Sequence, residues 1–193
     1  SDNDEFILNE NGLKYIGKSI EVIVPESIDE KIIDKIAPQG FARNCVKKVV
    51  LPNTIKVIGR SAFADCSELM NIVIPNSVTN IEAWAFGTCS ALKKIELSDN
   101  VVEIGSHAFD ECYNLQEVRL PKKISYIGAY AFSETGLSKV VLPKGIKYLG
   151  NSLFYQCRSL REVVLQDGLE TIGNYTFGSC TSLKKINLPD SIK

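Results

Sequence analysis

Seven of the eight phenylalanines in this 193-residue chain recur every 22 or 23 residues, at Phe41, Phe63, Phe86, Phe109, Phe132, Phe154 and Phe177. Other columns keep the same phase. Five residues ahead of each Phe stand Ile36, Ile58, Ile81, Ile104, Ile127, Leu149 and Ile172. Behind it come Val46, Leu69, Leu92, Leu115, Leu137, Leu160 and Leu183, then a branched pair such as Ile95 and Leu97. Self-similarity at a fixed period of this size is the signature of a solenoid. One unit cannot bury its own apolar side, whereas stacked units share a continuous core.

Within each unit the stretch "LxxIxL" alternates, which suits one short strand with a single face inward. Proline often closes it, at Pro25, Pro52, Pro75, Pro121, Pro143 and Pro189, because proline has no N–H to give to a ladder. The "IGxxAFxxC" half places Gly at a turn and Phe in the interior. The expected fold is a mainly β solenoid of about seven coils, with short parallel strands, one per coil.

Six cysteines in a short secreted chain would suggest a disulfide framework. At this length a core forms without such staples. Five of the six, Cys66, Cys89, Cys112, Cys157 and Cys180, also form one column, with Thr135 in its vacant place and Cys45 one position off register. Cysteine is small and prone to burial, so the column fits a tight interior corner of each coil. Disulfides between stacked neighbours and a reactive thiol are the competing readings. Parallel side chains in register seldom offer the torsion a disulfide needs.

Written as LxxIxLPxxIxxIGxxAFxxCxx, these columns closely resemble the BspA-like leucine-rich repeats. "VIGRSAFADCSELMNIVIPNSV" and "TIGNYTFGSCTSLKKINLPDSI" match nearly throughout, and the resemblance covers residues 36–193. The pattern differs from the commoner leucine-rich class, which has Asn where this one has Pro. The resemblance implies a leucine-rich-repeat solenoid in a bacterial-type surface or secreted protein, often a tandem module of a longer chain. It implies adhesion or recognition of a protein or glycan, and it carries over no catalytic residue.

Residues 1–35 depart from the repeat and are expected to cap residues 36–193. In "FILNENGLKYIG" the Asn11-Gly12 pair between apolar runs signals a hairpin, and "IEVIVP" supplies the first strand. Ser27 and Glu30 read as a capping box ahead of Ile28, Ile32 and Ile36 at helical spacing, with Pro38 as the stop. A hairpin or helix here would cover the first coil, as terminal repeats must do. An inserted binding element is the other reading. No matching cap follows Leu183. The polar start "SDNDE" is no signal peptide, and the missing initiator Met points to a piece of a longer chain.

Two outward columns stand out. The position two before Phe reads Ser61, Trp84, His107, Tyr130, Ser152 and Tyr175. Trp84, His107 and Tyr130 on consecutive rungs suit a sugar ring or a protein hot spot; lateral packing of neighbours, with no ligand, is the favoured explanation. The outward strand column reads Val50, Val73, Glu96, Arg119, Val141, Val164 and Asn187. Glu96 and Arg119 on adjacent rungs are expected to pair, and Val73 and Val141 to offer apolar contact. Beside them run Lys47, Lys48, Lys93, Lys94, Lys139, Arg161, Lys184 and Lys185. That stripe either attracts an acidic partner or anionic glycan, or keeps a parallel stack soluble.

Enzyme chemistry finds little support. His107 is the sole histidine, which removes most triads, metal clusters and imidazole acid–base schemes. Alternation points it outward and Cys112 inward. No phosphate loop occurs, the "IG" glycines are not a dinucleotide fingerprint, and the acids are scattered rather than clustered. A net charge of −1 gives no reason to expect nucleic acid. No apolar run approaches the roughly 20 residues of a membrane span. The functional classes left are a non-catalytic recognition module outside the cell, a rigid spacer displaying other domains, and an intracellular interaction scaffold. Buried free thiols suit a reducing compartment equally well.

Overall fold

The computed structural model describes residues 2–193. Each coil carries two strands. The alternating stretch forms a face strand of two or three residues: Glu21–Ile23, Lys48–Val50, Asn71–Val73, Lys94–Glu96, Glu117–Arg119, Lys139–Val141, Glu162–Val164 and Lys185–Ile186. They mark about eight turns, one more than the Phe column counts, because Glu21–Ile23 joins Lys48–Val50 in parallel ahead of the first repeat. A second strand, such as Val57–Ile58 or Glu103–Ile104, precedes the repeat Gly. At two residues it is too short for alternation to reveal it.

Parallel pairing in register makes the columns physical. Val49 sits beside Ile72 and Ile95 beside Val118, while Ile58, Ile81 and Ile104 line up on the other ladder. The Phe rings form a stack through the centre, with centroids 4.9–5.8 Å apart from Phe41 to Phe177. Tyr15 extends it at 5.0 Å from Phe41.

The cysteine column has a specific role in this core. Each thiol donates to the carbonyl of the Phe one coil back: Cys66 to Phe41, Cys89 to Phe63, Cys112 to Phe86, Cys157 to Phe132 and Cys180 to Phe154, at 3.0–3.1 Å. Cysteine therefore supplies both a small apolar volume and a weak donor. Thr135 keeps the donor and gives its hydroxyl to the Phe132 carbonyl at 2.9 Å. All six cysteines are free, and Cys45 is exposed. A thiol-reactive reagent is expected to label Cys45 promptly and Cys180, half-buried, more slowly. The other four should react only on unfolding, which intact mass reads directly. Prompt native labelling of Cys89 would contradict the packing.

The corners pay a backbone cost. The residues two before and two after each Phe, among them Ser61 and Asp65, Trp84 and Thr88, His107 and Glu111, Tyr130 and Glu134, lie at φ 54–60°. Left-handed backbone costs a non-glycine residue about 1–2 kcal/mol. Hydrogen bonds to the next coil offset it, from Trp84 N–H to Ser106 O, His107 N–H to Ala129 O and Tyr130 N–H to Asn151 O, at 3.0–3.1 Å.

The repeat glycines have another reason than a turn. A Cβ on Gly105 would lie 2.5 Å from the Ala83 nitrogen, and one on Gly128 would strike the Ser106 backbone. Adjacent coils approach too closely there for a side chain. Gly128→Ala is expected to cost about 1–3 kcal/mol by overpacking, measured as a drop in the urea midpoint at unchanged slope.

At the N-terminal end, Phe6–Asn9 and Gly12–Tyr15 form the antiparallel hairpin that Asn11-Gly12 signalled, shifted by one residue. Asn9 pairs with Gly12, so Glu10 and Asn11 make the loop and Gly12 takes φ 112°. The hairpin joins the ladder through Leu13 and Ile36. The helix expected after Ser27 does not form. Ser27–Ile28 and Lys31–Ile32 pair antiparallel around Asp29 and Glu30, both at positive φ. The side chain that this hairpin turns inward is Ile33, which is fully buried, whereas Ile32 is exposed. The stripe Ile28, Ile32 and Ile36 gave way to a different inward pair, Ile33 and Ile36.

Candidate recognition surface

Three-residue face strands leave the middle residue inward and the flanking two outward, and this places the sequence-derived site residues. Ile23, Val50, Val73, Glu96 and Arg119 stand in one in-register row. Ile23 and Val73 are 77% and 66% exposed, large values for branched apolar side chains. Val141 continues the row, in register with Val164. The signal for Ile23 was present in "IEVIVP", yet that stretch reads first as an end strand.

Glu96 and Arg119 sit side by side but choose other partners. Glu96 meets Lys94 at 2.9 Å and Arg119 meets Asp99 at 3.0 Å. Lys94 holds the Glu96 carboxyl below its usual range. Asp99 is held down first by the Lys122 N–H it accepts and also by Arg119. The expected cross-rung pair is therefore replaced by one within a strand and one to the loop of the preceding coil.

Five of the stripe's eight cations are likewise paired with carboxylates. Glu162 lies between Lys139 and Lys185 at 3.1 and 3.0 Å, and Lys47 meets Glu68 at 3.5 Å. Exposed pairs of this kind are worth little in stability; they reduce the stripe's field.

Three adjoining cavities run along the row. One of about 370 Å³ includes Val50, Val73 and Pro75; a second of about 640 Å³ includes Val73, Glu96 and Arg119; a third of about 710 Å³ includes Arg119 and Val141. Val73 belongs to the first two and Arg119 to the last two, so they form one groove across the strands. Lys122, Lys144 and Val118 line its largest part. Sequence reasoning passed over them, because Val118 is in an inward column and the two lysines follow the strands.

Trp84, His107 and Tyr130 come together elsewhere, on the corners. The imidazole is sandwiched, its centroid 4.2 Å from Trp84 and 4.8 Å from Tyr130 with planes within 3° of parallel. Its Nδ1 lies 2.6 Å from Asp110 Oδ2, and the Asp110 side chain is nearly buried. The imidazole thus has both faces covered, while Trp84 and Tyr130 each give one face to it. His107 and Cys112 point apart: the thiol is fully buried and burial pushes it up to about 12. Among the described residues no group of three or more His, Cys, Asp or Glu is placed to hold a metal ion. No helix among them is long and apolar enough to cross a membrane.

Solved structures share this architecture. The chain is similar to the leucine-rich repeat protein TpLRR of T. pallidum, with a TM-score of 0.85 and 30% identity over 93% of this chain and 87% of that one. It is similar in fold to a leucine-rich cell surface protein of Faecalibacterium prausnitzii, with TM-score 0.66, 21% identity, and 97% and 75% of the two chains covered. The pneumococcal vaccine antigen PcpA gives TM-score 0.63 and 18% identity, with 97% and 71% covered. A search of curated protein sequences returned no match. The family model for the BspA-type leucine-rich repeat region matches six copies, over residues 34–161 and 147–193, and the chain belongs to that family.

Proposed function

We propose that this chain is a recognition module that binds a protein or glycan through its strand face, as part of a bacterial surface or secreted protein. The single observation that carries the reading is the groove. Three adjoining cavities share residues along a row in which Ile23, Val50, Val73 and Val141 are exposed apolar side chains flanking Glu96 and Arg119. An apolar row with polar groups set among it is the composition of a binding surface. Repeats of this family and fold are typically non-catalytic and generally serve as protein-interaction or surface modules. The placement outside the cell draws on the Faecalibacterium relative, described as a cell surface protein.

The stacked Trp84–His107–Tyr130 ridge is assigned to packing, since each ring already stacks on a neighbour and the imidazole is sandwiched. The test is an array of extracellular proteins and glycans probed with the purified chain. Val73→Asp and Arg119→Glu are expected to weaken the strongest hit at least tenfold, with thermal stability within about 1 kcal/mol of wild type. Trp84→Ala should retain binding. A spacer would show no hit, or hits indifferent to both face variants.

A further inference from the structure

The first coil contains an addition that the next ones lack. Ile55 follows Pro52 by three residues and Val78 follows Pro75 by three, whereas Ile33 follows Pro25 by eight. Ile33, Ile55 and Val78 are all fully buried, so the column stays in phase and five extra residues are looped out. They build the hairpin of Ser27–Ile28 and Lys31–Ile32, closed at its base by the Ile33 N–H on the Glu26 carbonyl at 2.8 Å. Its turn holds two non-glycine residues, Asp29 and Glu30, in left-handed backbone, a strained arrangement. Burial offsets little of that strain. Ile28 packs on the core only partly, and Ile32 is 69% exposed.

The hairpin instead helps to wall a cavity. A volume of about 700 Å³ is lined by Ile32, by Asp34 just beyond it, and by Asn53, Thr54, Lys56 and Ser77 of the next two coils. That size is within the range of small-ligand sites. Of the residues lining the strand-face groove, Asn53 alone belongs to this cavity as well.

The polar groups around it lack partners. Among the described residues, Thr54 Oγ1 and Ser77 Oγ are shielded from solvent and make no hydrogen bond. Such a hydroxyl carries its full desolvation cost uncompensated, and two on neighbouring coils call for an explanation. The position does not forbid a bond. Ser191, two residues after Pro189 as Thr54 and Ser77 are after Pro52 and Pro75, donates to the Leu169 carbonyl at 2.7 Å and accepts the Gly168 N–H at 3.1 Å. Alternative staggered rotamers give each hydroxyl other directions within the site that its residue lines. Asp34 and Lys56 likewise form no ion pair among the described residues. In the same column at the other end of the solenoid, Glu170 meets both Lys147 and Lys193, at 3.6 and 3.2 Å.

This lining suits one ligand chemistry. One carboxylate and one ammonium balance, so charge favours neither an anion nor a cation. Hydroxyls and an amide, which both donate and accept, match ligand hydroxyls that do the same. Ile32 offers an apolar side chain to the C–H face of a ring. We infer that the cavity beside the inserted hairpin binds a neutral sugar residue of a glycan. Thr54, Ser77 and Asn53 hydrogen-bond its hydroxyls, and Ile32 supports the ring. The site is distinct from the strand-face groove and does not depend on that groove's role.

The test titrates the full chain with maltotriose, cellotriose and tri-N-acetylchitotriose, followed by saturation-transfer NMR and calorimetry. Saturable binding of at least one is expected. Thr54→Val combined with Ser77→Ala removes both hydroxyls at nearly constant shape and should weaken that binding by roughly tenfold or more. The same double variant should keep or raise the urea midpoint, because the hydroxyls it removes have no partner to lose. Deleting Ile28–Ile32 gives the first coil the spacing of the next two, leaves Ile33 in its column, and should abolish binding. Binding of none of the three sugars, or binding that survives the double variant, overturns the proposal. A clearly lowered midpoint also overturns it, since the hydroxyls would then be structural. Loss of sugar binding in Val73→Asp would place the ligand in the strand-face groove and sink this site while leaving the face reading intact. Tighter binding of an end-blocked Ser–Ala hexapeptide than of any of the sugars overturns it in favour of a protein segment.

Discussion

Phe109→Ala is expected to destabilise the protein by about 3–5 kcal/mol, the cost of deleting a fully buried phenyl ring and leaving its cavity. Phe109 stacks at 5.2 Å on both Phe86 and Phe132, and its own exposure is nil. The cavity would therefore interrupt the core column in mid-array. In a repeat stack, stability is a sum of coil terms and nearest-neighbour interfaces, so weakening two adjacent interfaces also weakens cooperativity. Urea unfolding followed by Trp84 fluorescence and by circular dichroism should give one coincident transition for the native sequence. The variant should unfold at lower urea, with the two probes separating. A loss below about 1 kcal/mol would mean that the Phe column does not carry the core.

The second large effect is alkaline unfolding. Burial raises the thiols of Cys112 and Cys157 from 9.0 to about 12 and that of Cys66 to about 11, and lifts Cys89 well above its ordinary value. Between pH 9 and these folded values the unfolded chain has released protons that the folded chain still holds. Stability then falls as pH rises. The contribution of the four thiols is fully present below pH 9 and is lost progressively from there toward pH 11–12. Each fully displaced thiol contributes about 1.4 kcal/mol per pH unit, so, with the unfolded thiol only half ionised at pH 9, Cys66, Cys112 and Cys157 together remove on the order of 5 kcal/mol between pH 9 and pH 10.5, and Cys89 adds in the same direction. Urea midpoints across that range would show the decline. Replacing Cys66 and Cys112 with Ala should flatten it by about half, after correction for the variant's lower starting stability. A slope unchanged by that replacement would assign the decline to tyrosines and lysines instead.

How much was legible beforehand differs by kind of feature. The inward columns were readable because each coil meets the same neighbours above and below. One residue type per column satisfies the same space seven times. The burial of Cys89 followed from that logic alone, although the reason for cysteine in particular, the Phe63 carbonyl at 3.1 Å, needed the structure. The hairpin at residue 12 was readable from turn chemistry to within one position. The helix after Ser27 was misread because Ile28, Ile32 and Ile36 fit a helical stripe, while the inward residues are Ile33 and Ile36.

The candidate surface was half legible. Val73, Glu96, Arg119 and Val141 could be placed outward from period-two alternation, but not their pairings or the groove between them. Which acid meets Arg119 depends on where the loop carrying Asp99 lies, and that is a matter of a few ångströms in space. The same holds for the aromatic ridge: consecutive rungs placed Trp84, His107 and Tyr130 side by side, and only coordinates show the imidazole sandwiched between the other two rings.

By itself the sequence determined the solenoid, its period, its core columns and the outward row, since all of these follow from repetition and alternation along the chain. The tertiary structure decided where the ladder hydrogen bonding is interrupted, which charges pair, and that Val118 is partly open in mid-column. Those features depend on how one coil seats on the next.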